Sequence, residues 1–169
     1  MPWTPAYNLL SIERLASNLL AIFKRDQVAA LEWAGLHMLL PPFMYFGIAR
    51  RVDQQIFPSC LALPVRLPMT QSPDEAAVVM RQEITIEIAS VSPDPEKLAR
   101  EILTRTRAIT AMVLSASPMD IFEGITTGAF GGLVWDIQEI AINQFPRQNA
   151  QGQYLSLSQS LAVFSYIET

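Results

Sequence analysis

Residues that carry chemistry are scarce in this chain. With one histidine and one cysteine, there is no material for a His-dependent triad, a zinc cluster or a helical pair of zinc-binding histidines. A single cysteine, Cys60, also excludes an internal disulfide. With Leu61 and Leu63 beside it, Cys60 reads as a small buried residue and not as a reactive thiol. His37, among Leu36, Met38, Leu39 and Leu40, reads as a core or interface histidine. Positive charge is short too: 12 Lys and Arg against 16 Asp and Glu give a net charge of −4, which offers no support for nucleic-acid binding as the main activity. Glycine is sparse, and four of the seven fall between 124 and 132. There Gly128-Ala129-Phe130-Gly131-Gly132 precedes a strand and has no Lys-Ser/Thr after it, so it lacks the geometry that cradles phosphate.

What the chain has in quantity is apolar residues. At 50% hydrophobic and 17% charged it is no candidate for intrinsic disorder, and 169 residues suit one domain, 1–169, with a sizeable core. Trp33 to Ala49 carries no charge, but Pro41-Pro42 at its centre and its length both argue against a membrane span. The start, Met1-Pro2-Trp3-Thr4-Pro5, lacks the basic flank and apolar block of a secretory signal.

Periodicity supplies the elements. Leu9, Ile12, Ala16, Leu19, Leu20 and Phe23 predict a helix from about Tyr7 to Lys24, and Asp26 is expected to cap a shorter one through Ala34. Phe43–Ala49 and Ile56–Pro68 read as extended, the second with the prolines of an edge strand or a strand broken at Pro64. Met69–Ala76 reads as a loop. Glu83-Ile84-Thr85-Ile86-Glu87-Ile88 alternates cleanly, predicting a strand with its isoleucines facing inward. Asp94-Pro95-Glu96 is a helix start, and the helix runs to near Ser115, where Ser117-Pro118 is expected to close it.

The last third predicts two long strands. In Leu133–Asn143 the apolar parity switches between Trp135, Ile137 and Ile140, Ile142, which implies a bulge at Gln138-Glu139. After a polar turn, Leu155, Leu157, Leu161, Val163 and Ile167 share one parity against Ser156, Ser158 and Ser160. Ile84, Ile86, Ile88, Leu98, Ile102, Ile109, Leu157, Leu161 and Val163 are therefore expected to form one cluster. The fold class is α+β: a mainly antiparallel β-sheet with a long C-terminal β-hairpin, packed against an N-terminal helix and a central helix.

Two charged groups remain to be weighed. Asp120, Glu123 and Asp136 lie near the glycine stretch but show no sign of convergence, so they read as solvated loop carboxylates. Arg100, Arg105 and Arg107 spread around the central helix, with Arg100 and Arg107 sharing a face. Those two can pair with Glu96, Glu101 or a neighbouring subunit.

By its order of elements, most of the chain resembles the tail terminator proteins of long-tailed bacteriophages. The resemblance is carried by the helix around Leu9–Phe23, the extended Phe57-Pro58-Ser59-Cys60-Leu61-Ala62-Leu63-Pro64, and the strand-turn-helix Glu83–Val113. The closing hairpin, ending Leu161-Ala162-Val163-Phe164-Ser165-Tyr166-Ile167-Glu168, completes it. It implies a structural virion protein that forms a homohexameric ring, caps the tail tube, stops its polymerisation and joins tail to neck. The implied partners are copies of itself, the tail tube protein, a neck or connector protein and, in contractile tails, the sheath protein. DNA would be only passing cargo, with no membrane involved. The implied location is the tail–neck junction of the virion, after assembly in the host cytoplasm. No catalytic residue, metal ligand or cofactor carries over, and the expectation is a protein that is not an enzyme. The alternatives are another neck or head-completion protein, a monomeric ligand-binding module, or a small enzyme using Asp136 or Glu123.

Three segments are expected at subunit contacts. The first is Leu39–Tyr45, with Leu39, Leu40, Phe43 and Tyr45. The second is the glycine stretch with Phe130, and the third is the turn bearing Phe145, Arg147, Gln148 and Asn149. Arg100 and Arg107 join them from the helix.

Overall fold

Asp94 stops one element and starts the next. In the computed structural model, which describes residues 12–35, 39–50, 56–66, 69–71, 78–123, 134–142 and 147–168, its carboxylate accepts from the backbone N–H groups of Glu96 and Lys97. With Pro95 at the first helical position, this fixes the start of helix α2, Pro95–Ser115. The N-terminal helix α1 spans Ile12–Ala34, and a short α3, Pro118–Ile121, follows α2. The strands are β1 (Tyr45–Gly47), β2 (Ser59–Arg66), β3 (Met69–Gln71), β4 (Val78–Ser92), β5 (Val134–Ile142), β6 (Arg147–Gln148) and β7 (Tyr154–Glu168). Since Asp94 satisfies two donors that would otherwise lie bare at the helix start, Asp94→Ala should destabilise the fold by about 1 kcal/mol, measured as a urea-midpoint shift at constant slope.

The strands form one sheet in the order β1-β2-β4-β7-β5, with β3 on β4 and β6 on β7. Among the described residues only β1 runs parallel to its neighbour. This is the expected α+β class with a mainly antiparallel sheet. The axis is the pairing of β4 with β7, fifteen residues each, in register from Val78↔Glu168 to Ser92↔Tyr154. In β2, Pro64 opposes Ile84 of β4, in a stretch that β1 does not cover, so among the described residues its missing N–H donor disturbs no ladder on that side.

α1, α2 and α3 all pack on one face of the sheet. Ile84, Ile86 and Ile88 meet Leu98, Ile102 and Ile109 of α2, Leu15, Leu19 and Phe23 of α1, and Ile121 and Phe122. Cys60, Ala62, Ala162 and Phe164 complete the floor. Cys60 is fully buried, and burial pushes its thiol pKa far above the usual value. Phe122 lies edge-on to Phe164 and Trp135, whose indole N–H donates to the Val113 carbonyl at 3.0 Å.

Several expectations are corrected by the structure. Leu157, Leu161 and Val163 do not join the core; the opposite parity, Ser156, Ser158, Ser160, Ala162 and Phe164, faces the helices. The register sets this orientation, pairing Ile84 with Ala162, Ile86 with Ser160 and Ile88 with Ser158. Small serines let α2 approach closely, and the Ser158 and Thr106 hydroxyls lie 2.6 Å apart. α1 is continuous across Lys24-Arg25-Asp26 and no second helix begins there: Arg25 pairs with the adjacent Asp26 and with Asp120, so that carboxylate does not act as a cap. α2 ends at Ser115, just ahead of Ser117-Pro118 as expected, and the same pair also opens α3, the Ser117 hydroxyl accepting from Met119 N–H. Met69–Gln71 is paired as β3. The β5 register shift lies between Glu139 and Ala141, one residue beyond the predicted place. The turn after β6 is tight: Asn149 Oδ1 accepts from the N–H groups of Gln151 and Gln153, and Gly152 takes the left-handed φ of 76°. The glycine stretch 124–132 and His37 lie outside the described residues.

Candidate interaction surfaces

Under α2 the core is polar. The Arg105 side chain is fully buried, with its Nε donating to Glu101 Oε1 at 2.8 Å and its guanidinium 4.8 Å from the centre of the Phe43 ring. Glu101 Oε1 also accepts from the Ser90 hydroxyl at 2.7 Å. Burial lowers the Arg105 pKa, and the hydrogen bond and charge of Glu101 oppose that. Both terminal nitrogens of Arg105 are buried without a partner among the described residues. This cluster sits inside the fold and tethers α2 to β4.

Chemistry at the surface is thin. Among the described residues no three of His, Cys, Asp and Glu converge as a metal site, and no helix is long and apolar enough to cross a membrane. An open groove of about 600 Å³ runs between α1 and α2, walled by Ala29, Ala30, Trp33 and Met112, with Arg25 and Asp120 at one end. A smaller hollow of about 180 Å³ lies on the opposite side of the sheet, where Arg50 and Phe57 overlie Leu61, Glu87, Leu155 and Leu157. Its acid, Glu87, is held by the Arg50 guanidinium and by Gln159 Nε2 at 2.9 Å.

That outer sheet face is the most unusual surface. An antiparallel sheet with helices on one side ordinarily turns polar residues outward on the other. Here β4 obeys the rule with Glu83, Thr85 and Glu87, but β7 inverts it. Leu155, Leu157, Leu161 and Val163 point away from the helices as a half-buried row, broken only by Gln159, with Ala89 and Val91 beside it on β4. α2 presents a second apolar row on its side away from the sheet. Leu103 and Leu114 are 53% and 54% exposed, interleaved with exposed Arg100 and Arg107.

The residues expected at contacts fall in different places. Leu39 is 88% exposed and Tyr45 half-buried, whereas Leu40 and Phe43 are covered by this chain itself. Phe43 N–H donates to Gln27 Oε1 at 2.8 Å, fixing the segment against α1. Arg100 pairs with Glu96 on the surface, and the Arg107 guanidinium lies 4.5 Å from the ring centre of the exposed Trp33. Gln148 and Asn149 are exposed on the turn; Arg147 is placed in β6, and Phe130 and Phe145 lie outside the described residues. Asp120 reaches Arg25, Asp136 is exposed on β5, and the Glu123 carbonyl accepts from Asn18. The outward β7 row was missed from sequence, as were Leu103 and Leu114; the signal for the last two was their spacing with Arg100 and Arg107.

No family model matches this chain, and no curated protein sequence matches it. Among solved structures, it is similar to a chain in the virion of a native gene transfer agent particle. The identity is 10% and the TM-score 0.39, over 88% of this chain and 92% of that one.

Proposed function

We propose that the protein is a structural component of a phage-like virion. In this reading it acts as a tail terminator, forming a ring that caps the tail tube and joins it to the neck. The observation that carries this reading is the inverted strand β7, whose apolar side is turned away from the chain's own helices. A row of leucines on an outer face that also turns Leu61, Ala89 and Val91 outward calls for a partner surface. A small protein that acts by assembly rather than by chemistry has reason to keep such a row. The element order resembling tail terminators supports the specific role, and with it a ring of six and a central passage for DNA. The partners are copies of the chain, the tail tube protein and a neck protein, at the tail–neck junction, with no catalysis by the chain itself.

Electron micrographs of the purified protein, alone and mixed with tail tubes, test this. Rings, and rings seated on tube ends that stop further growth, are the expected result. Tubes that elongate unhindered with the protein in excess would refute the terminator role.

A further inference from the structure

We propose that neighbouring copies join head to tail, the exposed row of α2 on one copy lying against the outward row of β7 on the next. The inference rests on the ring reading above and names the contact that reading leaves open.

Four observations converge on it. The first is that each row brings apolar side chains to the surface: Leu103 and Leu114 on α2, more than half exposed, and the half-buried Leu155, Leu157, Leu161 and Val163 on β7. Secondly, they lie on opposite sides of the fold. The buried side of α2, with Leu98, Ile102 and Ile109, packs on the inner sheet face, so Leu103 and Leu114 point away from the sheet, while the β7 leucines point out of its other face. Two unlike surfaces on opposite sides cannot make a two-fold contact between themselves; they make a repeating one, which closes into a ring when the rotations from copy to copy add up to a full turn and otherwise runs on as a filament. Thirdly, the helix row fits within the sheet row. Arg100 to Leu114 rises about 21 Å along the helix, inside the roughly 27 Å that Leu155 to Val163 spans along the strand.

The fourth observation is charge. The helix row carries Arg100 and Arg107, whereas the sheet row is flanked by Glu83 and Glu87 on β4 and by Asp136 on β5. Glu87 already holds Arg50, yet it lies beside Gln159 at the middle of the row, where an arginine from α2 would arrive. Complementary charges of this kind set orientation and register more than strength. A second copy of this chain is therefore the occupant that both surfaces fit.

The test uses the full chain at about 100 µM in sedimentation equilibrium, with two charge variants and one cysteine pair. Leu103→Glu and Leu161→Glu should each reduce the protein to monomers, and an equimolar mixture should give a one-to-one heterodimer, because each retains the row the other has lost. A contact between like surfaces would be broken by only one of the two variants, and the mixture would restore nothing. In the second experiment, Leu103→Cys combined with Leu161→Cys is treated with a short bismaleimide; buried Cys60 stays out of the reaction. The double variant should give a ladder of covalent oligomers and each single variant none. A dimer from either single variant, or no ladder from the double, overturns the proposal, as does a monomeric wild-type chain. Rings that persist in both charge variants overturn this contact while leaving the ring reading intact; failure of wild-type rings to cap tail tubes does the reverse.

Discussion

Replacing Glu101 with Ala should destabilise the protein by about 3–5 kcal/mol, more than its position at the edge of α2 would suggest. The Arg105 guanidinium has no solvent exposure, and Glu101 is its only hydrogen-bond partner among the described residues. Removing the carboxylate leaves a buried cation with nothing but the Phe43 ring and the protein dipoles to offset its desolvation. It also strips the acceptor from the Ser90 hydroxyl. The sign should change when both charges go: Glu101→Leu with Arg105→Met removes the desolvation cost together with the attraction, and buried pairs exchanged in this way are often neutral or stabilised. Urea unfolding of the single and double variants measures this directly. A single variant within about 0.5 kcal/mol of the wild type would mean that Arg105 finds another acceptor and that the pair does not hold α2 to β4.

Arg105 also shows what the sequence could and could not reveal. Leu98, Ile102, Arg105, Ile109 and Met112 follow one another at four and three residues, so the helix periodicity places this arginine in the middle of the apolar row. Glu101 one turn earlier was the further sign of a buried pair. The basic run Arg100, Arg105 and Arg107 spreads around the helix, and that spread alone assigns Arg105 no buried partner. The helix start at Asp94-Pro95 and the alternating isoleucines of β4 were legible because each is a local signal whose meaning does not depend on a distant partner. Strand β7 was different. Its alternation was plain, but a period of two states that the faces differ, not which face is inside. The choice was made by pairing with β4 and by the close approach of α2, both contacts far away in sequence. For the same reason the outward leucines, which carry the functional reading, were counted as core.

Ile86→Ala should cost about 2–5 kcal/mol, towards the upper end. Ile86 has no solvent exposure, and its cross-strand neighbours on the inner face, Ala62 on one side and Ser160 on the other, are both small. Side chains that could relax into the vacated space are therefore few, and the cavity penalty adds to the lost transfer energy. Leu157→Ala provides the contrast. It removes the γ-methine and its two methyls from the outward side of β7, where water or a partner replaces the contact, so the isolated subunit should lose far less stability. Any assembly that uses the outer face should weaken instead. Ile86→Ala should thus shift the urea midpoint with assembly intact in the folded fraction, and Leu157→Ala should shift the association equilibrium with the midpoint of the monomer nearly unchanged. Equal losses of monomer stability from the two substitutions would mean that β7 buries its leucines within one chain, and the inverted-strand reading would fall with them.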